Sequence, residues 1–199
     1  MKSLLFVNIL LSFSATAGAQ VNPCNLFFDA YNNAQQGFKR FRPGTEDGKL
    51  IYKVDSSILK QYNIISGDIY IQQHLDVPDQ KGKLYTKCTM KLNTEYLFAS
   101  KEWNEVKNEL EVSLKKQCTQ YYEACFKDQL TMSPVTDKED GTLKLLNVFF
   151  YNAGLKIPEG LDIKKALLGN TFIQFSVEKS IVMNAYCMSY TIESAFLEN

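Results

Sequence analysis

Cysteine and histidine are the residues with the most distinctive chemistry in this chain of 199 residues. A thiolate can act as a nucleophile, but only where a nearby base or positive charge lowers the pKa of the thiol. The single histidine, His74, is the one imidazole that could serve as that base. The five cysteines are Cys24, Cys88, Cys118, Cys125 and Cys187.

The sequence around Cys88 and His74 predicts that a β-sheet separates the two side chains. The stretches DIYIQQHL (68–75) and KLYTKCTMKL (83–92) largely alternate apolar and polar residues, so they are predicted to form a hairpin. If Ile71 lies opposite Cys88, His74 lies opposite Tyr85 and points to the other face of the sheet. We therefore expect His74 to be solvated beside an aromatic ring, and Cys88 to be a disulfide partner or a buried core residue.

The cysteines are better candidates for disulfides, and their odd number leaves at least one thiol without an intramolecular partner. Cys88 on the inner face of a strand and Cys118 at the end of a helical stripe should enter the same layer, so Cys88–Cys118 is the preferred bridge. Cys24 would pair with Cys125 or Cys187 if the first helix lies beside the second. The alternative is that several of these cysteines are small, buried apolar residues.

Other catalytic and metal-binding patterns are absent from the sequence. It contains no nucleophile elbow, zinc-protease motif, Cys-x-x-Cys pair or phosphate-binding glycine loop, so we expect no cofactor and no metal. The segment 137–141 lacks the ligand spacing of a calcium loop and is predicted to be a turn. The carboxylate pairs Glu46-Asp47 and Glu139-Asp140 lie in glycine-containing stretches where exposed charges are expected. A hydrolase that uses such a pair, or His74, is the alternative to a non-catalytic protein.

Tyrosines close to the cysteines form a second group of interest. Aromatic side chains are favoured at binding surfaces because they combine a large contact area with a polar group. They are also ordinary residues of strands and cores, which is the favoured interpretation here. The four tyrosines are Tyr121, Tyr122, Tyr186 and Tyr190, in QCTQYYEACF and NAYCMSYTI.

Two helices are predicted from apolar residues at spacings of three and four. The first begins with Asn22 as its N-cap and Pro23 at its first position, and Gly37 weakens or ends it. The second spans 100–118, with Ser100 as its N-cap and a favourable pair between Glu111 and Lys115. Its apolar stripe consists of Trp103, Val106, Leu110, Leu114 and Cys118.

Short alternating segments predict three strands after each helix, with a loop or short helix around 157–170. The order α-βββ-α-βββ favours an α+β fold, a two-layer sandwich in which two principal helices cover one face of a mainly antiparallel sheet. The six strand segments are KLIYKVD (49–55), DIYIQQHL (68–75), KLYTKCTMKL (83–92), TLKLLNVFFYN (142–152), TFIQFSVEKS (171–180) and IVMNAYCMSYTI (181–192).

The first residues have the pattern of a secretory signal peptide. A lysine, a short apolar stretch and the small residues Ala17-Gly18-Ala19 predict cleavage before Gln20, leaving residues 20–199 as a single α+β domain. No later segment is apolar enough to cross a membrane. We therefore expect a secreted or periplasmic protein in which at least one disulfide forms.

The charge balance argues against a nucleic-acid partner. The 22 basic residues equal the 22 acidic ones, and neither sign forms a long block. The partner is unknown, and another protein or a component of the cell envelope is the candidate that we keep. The lack of local catalytic signatures favours a non-catalytic binding or interaction protein over an enzyme.

Overall fold

The computed structural model describes residues 22–44, 49–76, 83–140, 143–157, 163–167, 169–180 and 183–198. Three expectations from the sequence lie outside these residues: the signal peptide in 1–19, the Glu46-Asp47 pair, and the turn between the second and third predicted strands.

The described residues form one antiparallel sheet of eight strands together with four α-helices. The strand order is β1-β2-β3-β8-β7-β6-β4, and β5 also pairs with β6. The strands are β1 (Ile51–Lys53), β2 (Ser66–Asp76), β3 (Leu84–Leu97), β4 (Leu130–Met132), β5 (Thr136–Asp140), β6 (Leu143–Asn152), β7 (Thr171–Ser180) and β8 (Ala185–Leu197). The helices are α1 (Pro23–Asn33), α2 (Ser56–Gln61), α3 (Trp103–Tyr121) and α4 (Ile163–Ala166).

The two long helices lie on the same face of the sheet. Helix α1 packs against β7 and β8, and α3 packs against β6 and β7. Buried apolar residues of both helices and of the facing strands form one continuous core. The predicted α+β fold, with two principal helices over a mainly antiparallel sheet, is confirmed.

The start and end of α1 follow the local rules of the sequence. The Asn22 side chain accepts a hydrogen bond from the Cys24 amide at 3.0 Å, and Pro23 occupies the first turn, where no donor is needed. A short 3-10 turn over 34–36 then ends at Gly37, whose φ of 65° is left-handed. The left-handed φ favours glycine here, and a Cβ would in addition come 2.5 Å from the end of the Arg42 side chain, which would have to shift.

Helix α3 has the predicted buried stripe but begins later than predicted. Ser100 has a φ of 60° and does not cap the helix, because the first helical residue is Trp103 and Glu102 is the N-cap residue. The pair between Glu111 and Lys115 is present at 2.6 Å. All five predicted stripe residues are buried, from Trp103 to Cys118.

Three elements were not predicted from the sequence: α2, β4 and β5. Helix α2 is capped by Asp55, which accepts from the Ser57 amide at 2.7 Å. The segment predicted as a turn from residue 137 is strand β5 up to Asp140, paired with β6. Because β5 joins the sheet at its margin and most of its side chains are exposed, its composition is charged rather than alternating.

Candidate functional site

The cysteines form one described disulfide, and it is not the preferred one. Cys24 at the start of α1 is bonded to Cys125, one of the two partners expected for it. The predicted Cys88–Cys118 bridge is wrong, since both thiols are free and buried. The reason is the placement of α3, which covers β6 and β7 and carries Cys118 away from β3, where Cys88 packs beside the 3-10 turn at 34–36.

The free thiols are poor nucleophiles in this environment. Burial raises the pKa of Cys88 to about 11, although Arg42 and the Gly37 backbone partly oppose that effect. Burial likewise raises the pKa of Cys118 to about 12 and that of Cys187 to about 11. A thiolate is scarce at neutral pH under these conditions, so the three residues act as small core side chains.

His74 is held by a carboxylate and does not pair with Tyr85. A β-bulge between Gln72 and Leu75 shifts the register, so that Leu75 lies opposite Tyr85, while the predicted pairing of Ile71 with Cys88 is confirmed. His74 has a φ of 56°, and its Nδ1 atom lies 2.8 Å from Oε2 of Glu198.

Glu198 links the bulge to the end of β8. Its Oε1 atom accepts from the His74 amide and from the Thr86 hydroxyl, each at 2.8 Å. These hydrogen bonds lower the pKa of the Glu198 carboxyl, and the bond from the His74 amide has the largest effect. The His74 side chain is 71% exposed and makes no hydrogen bond to a cysteine within the described residues. The structure therefore keeps the imidazole and the Cys88 thiol apart.

Glu139 belongs to a second closed group of polar side chains. It accepts from the Trp103 indole at 2.6 Å and from Lys144 at 2.9 Å, and Lys107 lies 3.3 Å away. Lys107 also pairs with Asp137. These hydrogen bonds lower the pKa of Glu139 to about 2, and the hydrogen bond from Lys144 has the largest effect. The group ties β5 and β6 to the start of α3, so Glu139 has a structural role and is not a free carboxylate.

The four tyrosines have different positions. Tyr186 is fully buried, donates to the Lys101 carbonyl at 3.2 Å and stacks on Trp103, as expected for a core residue. Tyr122 is partly buried against the core. Tyr121 and Tyr190 bring their hydroxyls within 3.4 Å of each other beside a cleft between the helices and the sheet.

We call this cavity of about 250 Å³ the tyrosine cleft. It opens between α1, the end of α2, β3 and the C-terminal part of α3. Its aromatic walls are Phe27, Tyr62, Tyr121 and Tyr190. Its polar lining groups are Asn63, Thr94, Glu95 and Gln117.

Three backbone irregularities surround the tyrosine cleft. Asn63 has a φ of 54°, and β3 has a register shift between Asn93 and Glu95 that leaves Thr94 bonded to the Met188 carbonyl. The residues 122–126, directly after Tyr121, form a π-helix. Such features are found preferentially at functional sites, because they direct side chains where regular elements would not.

One lining residue of the tyrosine cleft has a buried polar atom that finds no partner in the described part of the chain. The Oε1 atom of Gln117 is buried and accepts no hydrogen bond from the described residues. Among those residues it is the sole buried side-chain nitrogen or oxygen atom without a hydrogen-bond partner. Gln117 stands three residues after Leu114 and four before Tyr121, at the margin of the apolar stripe of α3. A polar residue at this helical spacing is a sequence signal for the cleft that was not recognised from the sequence. Asn63, Thr94 and Glu95 stand in no sequence pattern that indicates the cleft.

Two further cavities are less suited to a ligand. A groove of about 350 Å³ has Cys88 in its lining together with Arg42, but Arg42 donates to the Gly37 carbonyl and lies 4.0 Å above the Tyr52 ring. A shallow groove of about 380 Å³ lies beside β1, where Lys87 is paired with Glu193 at 2.9 Å. Arg42, Lys87 and Glu193 in these grooves already have partners within the protein.

The described part of the chain contains neither a cluster of metal-binding side chains nor a helix that could span a membrane. No three histidine, cysteine or acidic side chains come together there in a way that could hold a metal ion. None of the helices described has both the length and the apolar character needed to span a bilayer.

No protein-family model, curated protein or solved structure matches this chain.

Proposed function

We propose that this protein is an exported, non-catalytic binding protein that holds a small ligand in the tyrosine cleft. The observation that carries the proposal is the buried Oε1 atom of Gln117, which has no partner among the described residues. A buried acceptor without a hydrogen bond destabilises a folded protein by about 1–3 kcal/mol. A ligand that donates to this oxygen would remove the cost.

The composition of the tyrosine cleft supports the same proposal. Ligand sites combine aromatic walls with a few polar groups that fix orientation. Here Phe27 packs edge-on against Tyr121 and Tyr190, with ring centroids 5.2 Å and 5.1 Å away. The Cys24–Cys125 disulfide joins the start of α1 to the π-helix, so two walls of the cleft are covalently linked. The cleft is therefore held in shape without a ligand.

The chemistry of the remaining residues supports binding over catalysis. The three free thiols have raised pKa values and are buried. The Glu139 carboxylate already accepts hydrogen bonds from three side chains of the protein. The tyrosine cleft contains a single carboxylate, Glu95, so it lacks the acid and base pair of a two-carboxylate hydrolase.

Export is supported by the disulfide together with the leader-like sequence of residues 1–19. Disulfides persist in extracellular and periplasmic compartments and are rare in reducing cytosol. Mass spectrometry of the protein released from cells that express the full chain tests this. We expect a mass that begins at Gln20 and lacks two hydrogens for the Cys24–Cys125 bond; an intact leader, or free thiols at Cys24 and Cys125, would contradict export.

Binding in the tyrosine cleft can be tested by backbone amide NMR. The protein is titrated with small phenols of positive, neutral and negative charge, and we expect shifts at Asn63, Thr94 and Gln117. Gln117→Met keeps the length of the side chain and removes the acceptor, so it should weaken binding about tenfold. Gln120→Met, on the exposed side of α3, is the matched control. The absence of shifts with all three charge classes, or equal affinity in Gln117→Met, would refute the proposal.

A hydrolase is the second candidate, favoured by one observation. The Glu198 carboxylate lies 2.8 Å from Nδ1 of His74, an arrangement that orients an imidazole as a general base. Hydrolysis of a panel of activated esters tests it. If the activity disappears in His74→Gln and persists in Gln117→Met, catalysis at the bulge replaces the binding proposal.

A further inference from the structure

Two acceptors of the tyrosine cleft bear on the choice of ligand. The Oε1 atom of Gln117 and the Glu95 carboxylate are both acceptors, and Gln117 Oε1 has no donor among the described residues. A ligand that completes these bonds must bring N–H or O–H groups. The Asn63 amide and the tyrosine hydroxyls of the lining can donate to other parts of the ligand, but a ligand that offers only acceptors would leave the buried oxygen of Gln117 unsatisfied.

The charge in the lining of the tyrosine cleft is negative. Glu95 is the charged residue of its lining, and no described lysine or arginine takes part in that lining. Burial is the main cause of the raised pKa of Tyr190 and of Tyr62. The Glu95 charge makes a smaller contribution at Tyr190, and the Asp29 charge does so at Tyr62, so both carboxylates lie close to the tyrosine hydroxyls of the cleft.

The aromatic walls can stabilise positive charge. The face of a tyrosine or phenylalanine ring attracts a cation within about 6 Å of its centre. The rings of Phe27, Tyr62, Tyr121 and Tyr190 all belong to the lining of the cleft. A cation in the cleft therefore lies among aromatic rings and is attracted by the Glu95 carboxylate, whereas the same carboxylate repels an anion.

From these observations we propose that the tyrosine cleft binds a primary ammonium group carried by a small organic molecule. One N–H of the ammonium donates to Gln117 Oε1, the Glu95 carboxylate balances its charge, and the tyrosine rings pack against the attached carbon skeleton. This inference rests on the proposed binding function. It adds the chemical class of the ligand and the residue, Glu95, that selects for it.

The requirement for N–H donors separates this proposal from a general cation site. A quaternary ammonium carries the same charge and can pack on the rings, but it cannot donate to Gln117 Oε1. A neutral phenol can fill the aromatic part of the cleft but brings no charge. The three chemistries are thus distinguished by which of Gln117, Glu95 and the rings they engage.

The test is a titration of the oxidised full chain with tyramine, its N,N,N-trimethyl derivative and 4-ethylphenol, followed at the amides of Asn63, Thr94 and Gln117. We expect tyramine to bind about tenfold more tightly than either analogue, because its ammonium alone among the three both carries a positive charge and donates hydrogen bonds. Glu95→Gln should weaken tyramine about tenfold and leave 4-ethylphenol unchanged. Glu109→Gln, at an exposed position of α3, should change neither.

The outcomes distinguish the two proposals. Equal affinity for tyramine and 4-ethylphenol at these amides overturns the ammonium inference and leaves the binding function intact. If tyramine and the trimethyl derivative bind equally, the donor role of the ligand toward Gln117 is wrong. If no compound shifts the three amides, both proposals fail. Nα-acetyl-lysine amide is included as a fourth ligand, since binding of this compound instead of tyramine identifies a lysine side chain as the source of the ammonium.

Discussion

The two ends of α3 differ in how their polar groups are used. At its start, the Trp103 indole and Lys107 meet Glu139, and Lys144 completes the group, with hydrogen bonds of 2.6–3.3 Å. Toward its end, Gln117, which lines the tyrosine cleft, has a buried side-chain oxygen without a described partner. At the start of this amphipathic helix the polar side chains therefore have hydrogen-bond partners, whereas toward its end one buried polar atom has none among the described residues.

This difference separates structural polarity from polarity that is available to a ligand. Charged groups that already have several partners stabilise the fold and have little left to offer a second molecule. The start of α3 is therefore interpreted as an anchor for β5 and β6. A buried acceptor without a donor has the opposite meaning, because it lowers stability unless something else binds to it. The following predictions test whether the two ends differ in this way.

The largest expected effect concerns the disulfide that frames the end of α3. Cys24→Ala together with Cys125→Ala opens a loop whose ends are 101 residues apart, and the chain-entropy estimate for such a loop is a loss of about 4.7 kcal/mol. Urea unfolding monitored by circular dichroism measures it. Dithiothreitol should destabilise the wild type by a similar amount and leave the double variant unchanged. A loss below about 1 kcal/mol would mean that the disulfide does not stabilise this end.

The next effect is at the start of α3. Trp103→Phe removes the indole donor to Glu139 and part of a side chain that is 3% exposed, so we expect a loss of about 1–2 kcal/mol in the free energy of unfolding. Ligand affinity in the tyrosine cleft should not change. If Trp103→Phe weakens binding as much as Gln117→Met does, the two ends are coupled and the contrast between them is wrong.

Gln117→Met should have the opposite sign in the absence of ligand. Removing a buried acceptor that has no donor relieves its desolvation cost, so the variant is expected to be more stable by about 1 kcal/mol. Thermal unfolding of the ligand-free protein measures this, with Gln120→Met as the control on the exposed side. A less stable Gln117→Met variant would show that the glutamine oxygen is bonded in solution, which removes the main reason to place a ligand there.

The parts of this fold that were predicted from sequence depend on short-range rules. Asn22, Pro23 and Gly37 mark α1 by their backbone preferences, and each acts through neighbours in the chain. The stripe from Trp103 to Cys118 follows from helical periodicity alone. The strand β5 escaped prediction because its charged residues are exposed, so burial did not impose an alternating pattern on them.

The tyrosine cleft and the disulfide could not be predicted because they depend on how distant elements pack. Spacing placed Cys118 on the inner face of α3 but gave no information on which strands that helix covers. The lining residues Asn63, Thr94 and Gln117 come from three separate elements, and two of them lie at backbone irregularities that leave no periodic signal. Tyr121 and Tyr190 were recognised as aromatic residues near cysteines, yet their shared position required the fold.

The smallest predicted effect is the pH dependence of the anchor at the start of α3. The folded-state pKa of Glu139 is lowered from 4.5 to about 2, so its contribution to stability is present above pH 4.5 and is lost as the pH falls toward 2. Glu139→Gln should therefore be less stable than the wild type at neutral pH, and the difference should shrink between pH 4.5 and 2. Glu109→Gln, on the exposed side of α3, serves as the control. If the difference in stability between Glu139→Gln and the wild type stays constant over this range, the ionised carboxylate does not hold β5 and β6 to the helix. The polar side chains at the start of α3 would then be as open to a ligand as those at its end.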